Sequence, residues 1–225
     1  MTLGERLING VIRLGLRLSC RLDVSELSRV PAEGPAILIS NHTTQVEGPL
    51  FYIFLRPRRT IALGKKELWK NPVTRMAVKA WGVIPVDRGG VDMGTIRACF
   101  GVLDRGDFLC LAPEGHRSPD GALRRALPGA TFFAARRGVP IYPMAQWGLR
   151  DLGRNLRRFR RTPVHIRVGE PFTVESEGRL GPEDRQAMAD EMMYRIARLL
   201  PEEFRGAYAD LSRMTGRFLR PGNEG

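Results

Sequence analysis

Ala36-Ile37-Leu38-Ile39-Ser40-Asn41-His42-Thr43-Thr44-Gln45-Val46-Glu47 reads as a short buried strand that turns and starts a helix. The apolar run from Ala36 to Ser40 is bounded by a polar, Thr-rich stretch, and an apolar helix resumes from Glu47 to Leu55. His42 and Glu47 stand five positions apart. On one ideal helix that offset separates two side chains by about 140°, so they could not share a face. They converge only if His42 sits in the turn after the strand and Glu47 in the first turn of the helix. An imidazole held by a carboxylate in this way takes a proton from a hydroxyl or thiol and is then stabilised as imidazolium. Taken alone, the pair reads more readily as a turn histidine capping a helix.

Working outward, strand-like runs recur at Thr60 to Leu63, Val83 to Val86, Phe108 to Ala112, Pro140 to Met144 and Val164 to Val168. Helical stretches alternate with them at Glu67 to Ala80, Asp92 to Arg105 and Pro128 to Arg137. A terminal helix from Pro182 to Leu200 carries Met188, Met192, Ile196 and Leu199 on one face. Apolar strands alternating with helices predict an α/β fold, a largely parallel sheet flanked by helices. Ligands in such sheets bind outside the carboxyl ends of the strands, where the charged motifs of this chain fall.

With 225 residues and no Ser-, Gly- or Pro-rich linker, the chain is expected to form one catalytic domain over residues 25–225 behind an N-terminal helix at 1–24. The formal charge of +12 implies attraction to polyanions, either nucleic acid or an anionic lipid surface. Cys20, Cys99 and Cys110 are odd in number and widely spaced, which suggests neither a disulfide framework nor a metal cluster and fits a reducing cytoplasm. No run approaches the roughly 18 apolar residues that span a bilayer, and no cleavable signal is recognisable. A membrane contact would therefore be peripheral.

Leu3, Leu7, Val11, Leu14 and Leu18 recur at helical spacing, with Arg6, Asn9, Arg13 and Arg17 on the opposing face. Such a basic amphipathic helix can bury its apolar stripe at the headgroup boundary and attract anionic lipid. The alternative is a helix packed on its own domain. Arg154 to Arg161 is the other basic tract, expected as a solvated loop.

Four blocks, Asn41 to Glu47, Gly82-Val83-Ile84-Pro85-Val86-Asp87-Arg88, Pro113-Glu114-Gly115-His116-Arg117-Ser118 and Val139-Pro140-Ile141-Tyr142-Pro143-Met144, come in the order and rough spacing of a known pattern. The chain resembles the glycerophospholipid acyltransferase family, of which the lysophosphatidic acid acyltransferases are members, from about Pro35 to about Ala145 and more loosely beyond. The resemblance implies an O-acyltransferase carrying a fatty acyl group from acyl-CoA or acyl carrier protein to the free hydroxyl of 1-acyl-glycerol-3-phosphate, at the cytoplasmic face of a membrane. It implies His42 as base and Glu47 as its orienter. Lys65, Arg88 and Arg117 would hold the acceptor phosphate, a group that a cluster of cations suits, with Glu114 and Gly115 shaping the same pocket. No metal or cofactor is implied. A covalent acyl-enzyme is not called for, since there is no Gly-x-Ser-x-Gly elbow and no Cys beside His42.

Two residues depart from the family pattern. Glu47 stands where Asp is usual, one methylene longer, and His116 where Thr is usual. The second departure leaves open another lysolipid acceptor. A non-catalytic polyanion-binding protein is the alternative from a different class, and it would interleave aromatics with the basic tracts for stacking on bases. Phe159 alone does so, and no nucleic-acid partner is expected. His165 receives no role.

Overall fold

Strand β2 (Ala36–Ser40) is buried along its whole length, and it pairs in parallel with β5 (Phe108–Leu111) on one side and β6 (Ile141–Trp147) on the other. That explains its unbroken apolar run, because a central parallel strand is covered on both faces and has no polar side to show. The computed structural model describes residues 3–87, 92–129, 131–133, 138–175 and 180–222. Beyond β5, the sheet continues in parallel through β3 (Thr60–Lys65) to β4 (Ile84–Val86). Five strands thus end at one edge.

On the other flank β7 (Thr162–Val168) runs antiparallel to β6, and β1 (Cys20–Asp23) runs parallel to β7. The starts of β1 and β7 therefore meet the ends of the five parallel strands. Two short strands, β8 (Phe172–Val174) and β9 (Leu219–Pro221), add an antiparallel pair beside β6. Residues 20–23 are sheet rather than helix, so the N-terminal segment 1–24 ends in a strand of the domain. Four residues alternating in burial are too short a signal to separate from the preceding helix, and β8 and β9 are shorter still.

The pleat divides the core. Ile37, Ile39, Leu109 and Ile141 face α4 (Met93–Asp104) and α6 (Pro182–Ala197), whose Met188, Met192 and Ile196 are fully buried. Ala36, Leu38, Phe108 and Met144 face the opposite layer of α1 (Leu3–Ser19) and α2 (Glu47–Phe54), while α3 (Pro72–Ala80) packs on α2 through Ala77, Ala80 and the Trp81 that follows it. A short α5 (Leu152–Leu156) precedes β7.

Helix α1 docks by the face opposite its apolar stripe. Asn9 accepts a hydrogen bond from Trp81 Nε1 at 2.9 Å, Arg13 donates to the carbonyl of Ile53 at 2.8 Å, and Leu16 is buried. Leu3, Leu7, Val11, Leu14 and Leu18 all point to solvent. Successive residues turn by 100°, so the stripe and the Asn9–Leu16 face are on opposite sides of the cylinder. No helix among the described residues is long and apolar enough to cross a membrane.

This mode of docking predicts opposite outcomes for neighbouring leucines. Leu16→Ala, at a site 6% exposed, should cost about 2–4 kcal/mol and lower the melting temperature by several degrees. Leu14→Ala, 59% exposed, should stay within about 0.5 kcal/mol. Thermal unfolding of the two variants distinguishes this arrangement from one with the stripe packed inward.

Candidate active site

The chain leaves β2 at Ser40 and is fixed at once on both sides. Asn41, buried, donates from Nδ2 to the carbonyl of Gln146 at 2.8 Å and accepts from the Gln146 amide at 2.9 Å. Its side chain thereby imitates one more backbone rung between the ends of β2 and β6. The His42 amide donates to Glu114 Oε1 at 2.8 Å, and the His42 carbonyl accepts from the Ser118 amide at 2.8 Å. Both contacts come from the loop after β5. His42 is therefore held by the two strands that flank its own.

Glu47 opens α2 and is 4% exposed. Its Oε2 is 2.6 Å from His42 Nδ1. Its Oε1 accepts four hydrogen bonds, from the Thr43 amide at 2.7 Å, the Thr43 hydroxyl at 2.6 Å, the Thr44 amide at 2.5 Å and Gln146 Nε2 at 2.8 Å. A buried carboxylate costs several kcal/mol unless donors replace its water, and here they do. An ionised carboxylate only accepts, so Nδ1 carries the proton and Nε2 keeps a lone pair. Nε2 has no protein partner among the described residues. The extra methylene of Glu47 is accommodated without loss of contact.

Lys65 ends β3 and Arg117 lies in the loop after β5, and both are exposed and line the cavity that His42 enters. Arg88 lies outside the described residues, although Val86 pairs with Lys65 in the strand register just before it. Glu114 is buried and directs both oxygens to backbone amides, those of His42 and Arg124, so it braces the loop and does not pair with Arg117. Burial pushes its carboxyl above the usual range against the pull of those two amides. Gly115 has φ of +68°, and a Cβ there would lie 2.4 Å from the Leu127 side chain, so any other residue would distort the turn. His116 is exposed and does not line the cavity.

The cavity, about 480 Å³, continues from this polar rim along the α1–α3 face of the sheet, past Leu38, Ala62, Val78, Trp81 and Met144. Cys110 also lines it, with its thiol pushed up to about 12 by burial, which makes it a poor nucleophile. A cationic mouth beside a base, opening onto an apolar slot, suits an amphiphile with an anionic head.

The sequence profile of the Acyltransferase family matches residues 21–147, which run from within β1 to the end of β6 and include the whole of this site. The chain belongs to the acyltransferase family. It is 26% identical over 131 residues to a chloroplastic 1-acyl-sn-glycerol-3-phosphate acyltransferase of Brassica napus, covering 57% of this chain and 38% of that protein. A 1-acyl-sn-glycerol-3-phosphate acyltransferase of Bacillus subtilis is 25% identical over 190 residues, covering 84% of this chain and 92% of its own length. The crystal structure of the 1-acyl-sn-glycerophosphate acyltransferase of Thermotoga maritima superposes with a TM-score of 0.61 at 25% identity, over 83% of this chain and 75% of that one. The chain thus spans little more than a third of the Brassica protein and nearly all of the Bacillus one.

Asn41, Thr43, Ser118 and Gln146 were not legible as site residues from spacing. Gln146 did leave a trace, since it is a polar residue inside the apolar run of β6 and is wholly buried. Its backbone binds Asn41 and its side chain binds Glu47, so Gln146→Ala removes one donor to Glu47 and leaves the strand junction intact. Acyl-transfer turnover should fall on the order of tenfold, the scale of a slightly misplaced catalytic group, with Michaelis constants unchanged. A matching fall in melting temperature and no change in turnover would make Gln146 a packing residue only.

Proposed function

We propose that this chain is a membrane-surface O-acyltransferase that transfers a fatty acyl group from acyl-CoA or acyl carrier protein to the free hydroxyl of 1-acyl-glycerol-3-phosphate, giving phosphatidic acid. The observation that carries the reading is the His42–Glu47 pair, with Nε2 free, at the mouth of a cavity that is cationic at its rim and apolar along its length. The names of the Brassica, Bacillus and Thermotoga relatives agree with that acceptor.

In this reading the acceptor phosphate rests against Lys65 and Arg117, with Arg88 as a third cation, and its acyl chain lies in the apolar slot. Nε2 of His42 takes the hydroxyl proton as the oxygen attacks the thioester carbonyl. The resulting imidazolium is stabilised by Glu47 through Nδ1–H. Collapse of the tetrahedral intermediate breaks the carbon–sulfur bond, and the departing thiolate recovers the proton from Nε2. The base is regenerated and no acyl-enzyme forms. Outward display of the α1 leucines supports a site of action at a membrane surface, where the acceptor and the product have their acyl chains.

His42→Ala should lose at least about a hundredfold in turnover while keeping its melting temperature. Parental turnover in folded His42→Ala would remove the general base from the mechanism. Arg117→Ala should act differently, weakening apparent affinity for the phosphate acceptor by about tenfold or more, the worth of one charge-assisted contact of about 1.5–3 kcal/mol. The Michaelis constant for the acyl donor should not move, and an unchanged acceptor constant would place the phosphate elsewhere.

A further inference from the structure

The tract Leu152–Arg161 joins β6 to β7, and β7 runs back antiparallel to β6, with Trp147 opposite His165. The tract therefore stands at the same edge of the sheet as His42, Lys65 and Arg117. Its tip is unusual for a solvated loop. Phe159 is 101% exposed and takes φ of +53°, a left-handed conformation that non-glycine residues rarely adopt. The turn is fixed from within, by Arg160 N donating to the Asn155 carbonyl at 2.9 Å and Asn155 Nδ2 to the Thr162 hydroxyl at 3.1 Å. An aromatic ring left wholly in water forgoes one of the largest burial gains of any side chain.

Charge surrounds that ring. Arg157, Arg158 and Arg160 are exposed and make no ion pair among the described residues, and Leu156 is exposed beside them. Arg161 does something else. Its guanidinium donates to the carbonyls of Arg17 at 2.7 Å and Cys20 at 2.6 Å, tying the tract to the last turn of α1, where Leu18 faces outward, and to the start of β1. The basic tip and the apolar stripe are thus neighbouring parts of one rigid surface at the catalytic edge.

The geometry points to the Arg157–Arg160 tip as a second membrane-docking element, which inserts Phe159 at the headgroup boundary of an anionic bilayer and turns the catalytic edge toward the lipid. Charge complementarity selects the partner, because three unpaired guanidinium groups around a single apolar wedge match an anionic interface. Single-stranded nucleic acid would call for several aromatics in series along the basic groove, and the tract has one. The inference rests on the membrane-surface reading of the function and adds to it a specific contact and an orientation.

Full-length protein carrying Phe159→Ser, or Arg157→Gln with Arg158→Gln and Arg160→Gln, should be sedimented with vesicles of phosphatidylcholine alone and of equal parts phosphatidylcholine and phosphatidylglycerol. Each arginine near an anionic surface is worth about a fivefold change in partitioning, so the triple variant should bind anionic vesicles on the order of a hundredfold more weakly. Phe159→Ser should lose on the order of tenfold. Both should keep the parental melting temperature and the parental rate of acyl transfer in detergent micelles, where docking is not needed. Parental vesicle binding by both variants would overturn the proposal and leave α1 as the sole anchor. Unchanged vesicle binding with lost affinity for an RNA oligonucleotide would overturn it in favour of nucleic acid. Failure of the parent protein to sediment with either vesicle would overturn the membrane-surface reading as well, whatever its catalytic activity.

Discussion

A buried carboxylate must find donors, and in this protein the search for them shapes the site. Glu47 is withdrawn from water at the start of α2, and the groups that compensate it come from the turn it belongs to and from β6. Folding the Thr43–Thr44 amides onto Oε1 sets the path of the chain between strand and helix. That path aims Oε2 at the imidazole. One charge therefore dictates the turn, the tautomer of His42 and the direction of the free nitrogen.

The rest of the architecture brings charge and apolar surface to the same edge. Parallel pairing makes Ser40, Lys65, Val86 and Leu111 end together, so side chains far apart in sequence share one rim. The slot leading from it lies on the sheet face covered by α1, α2 and α3, the layer that also displays the outward leucines. The cationic rim and the exposed leucines of α1 are brought to one layer of the fold by this topology.

Much of this could be read from residue order. The run Ala36 to Ser40 matched β2 residue for residue, and the need for His42 and Glu47 to lie on different elements followed from helical geometry alone. What periodicity could not supply was the orientation of α1. An amphipathic pattern shows which face is apolar but not which one finds the domain, and here Asn9 and Arg13 make the docking contacts while Ile12 and Leu16 pack beside them. The helix packs on the domain by that face and leaves its apolar stripe exposed. Gln146 and Ser118 stayed hidden for a different reason, since their roles depend on which strands become neighbours. Glu114 accepts hydrogen bonds from the His42 and Arg124 amides and does not turn to Arg117, a choice that also depends on which strands become neighbours.

The Asn41–Gln146 junction bears on how the site spends its time between turnovers. A base on a free loop would lose conformational entropy each time it met its substrate, a loss of about 1–2 kcal/mol for every residue it had to order. Here the loss is incurred once, when the sheet forms, because the residue before the histidine is stitched into the ladder and inherits its stiffness. In the proposed mechanism His42 would then stand ready in its working position, and discrimination among acceptors would fall to the exposed Lys65 and Arg117 at the rim.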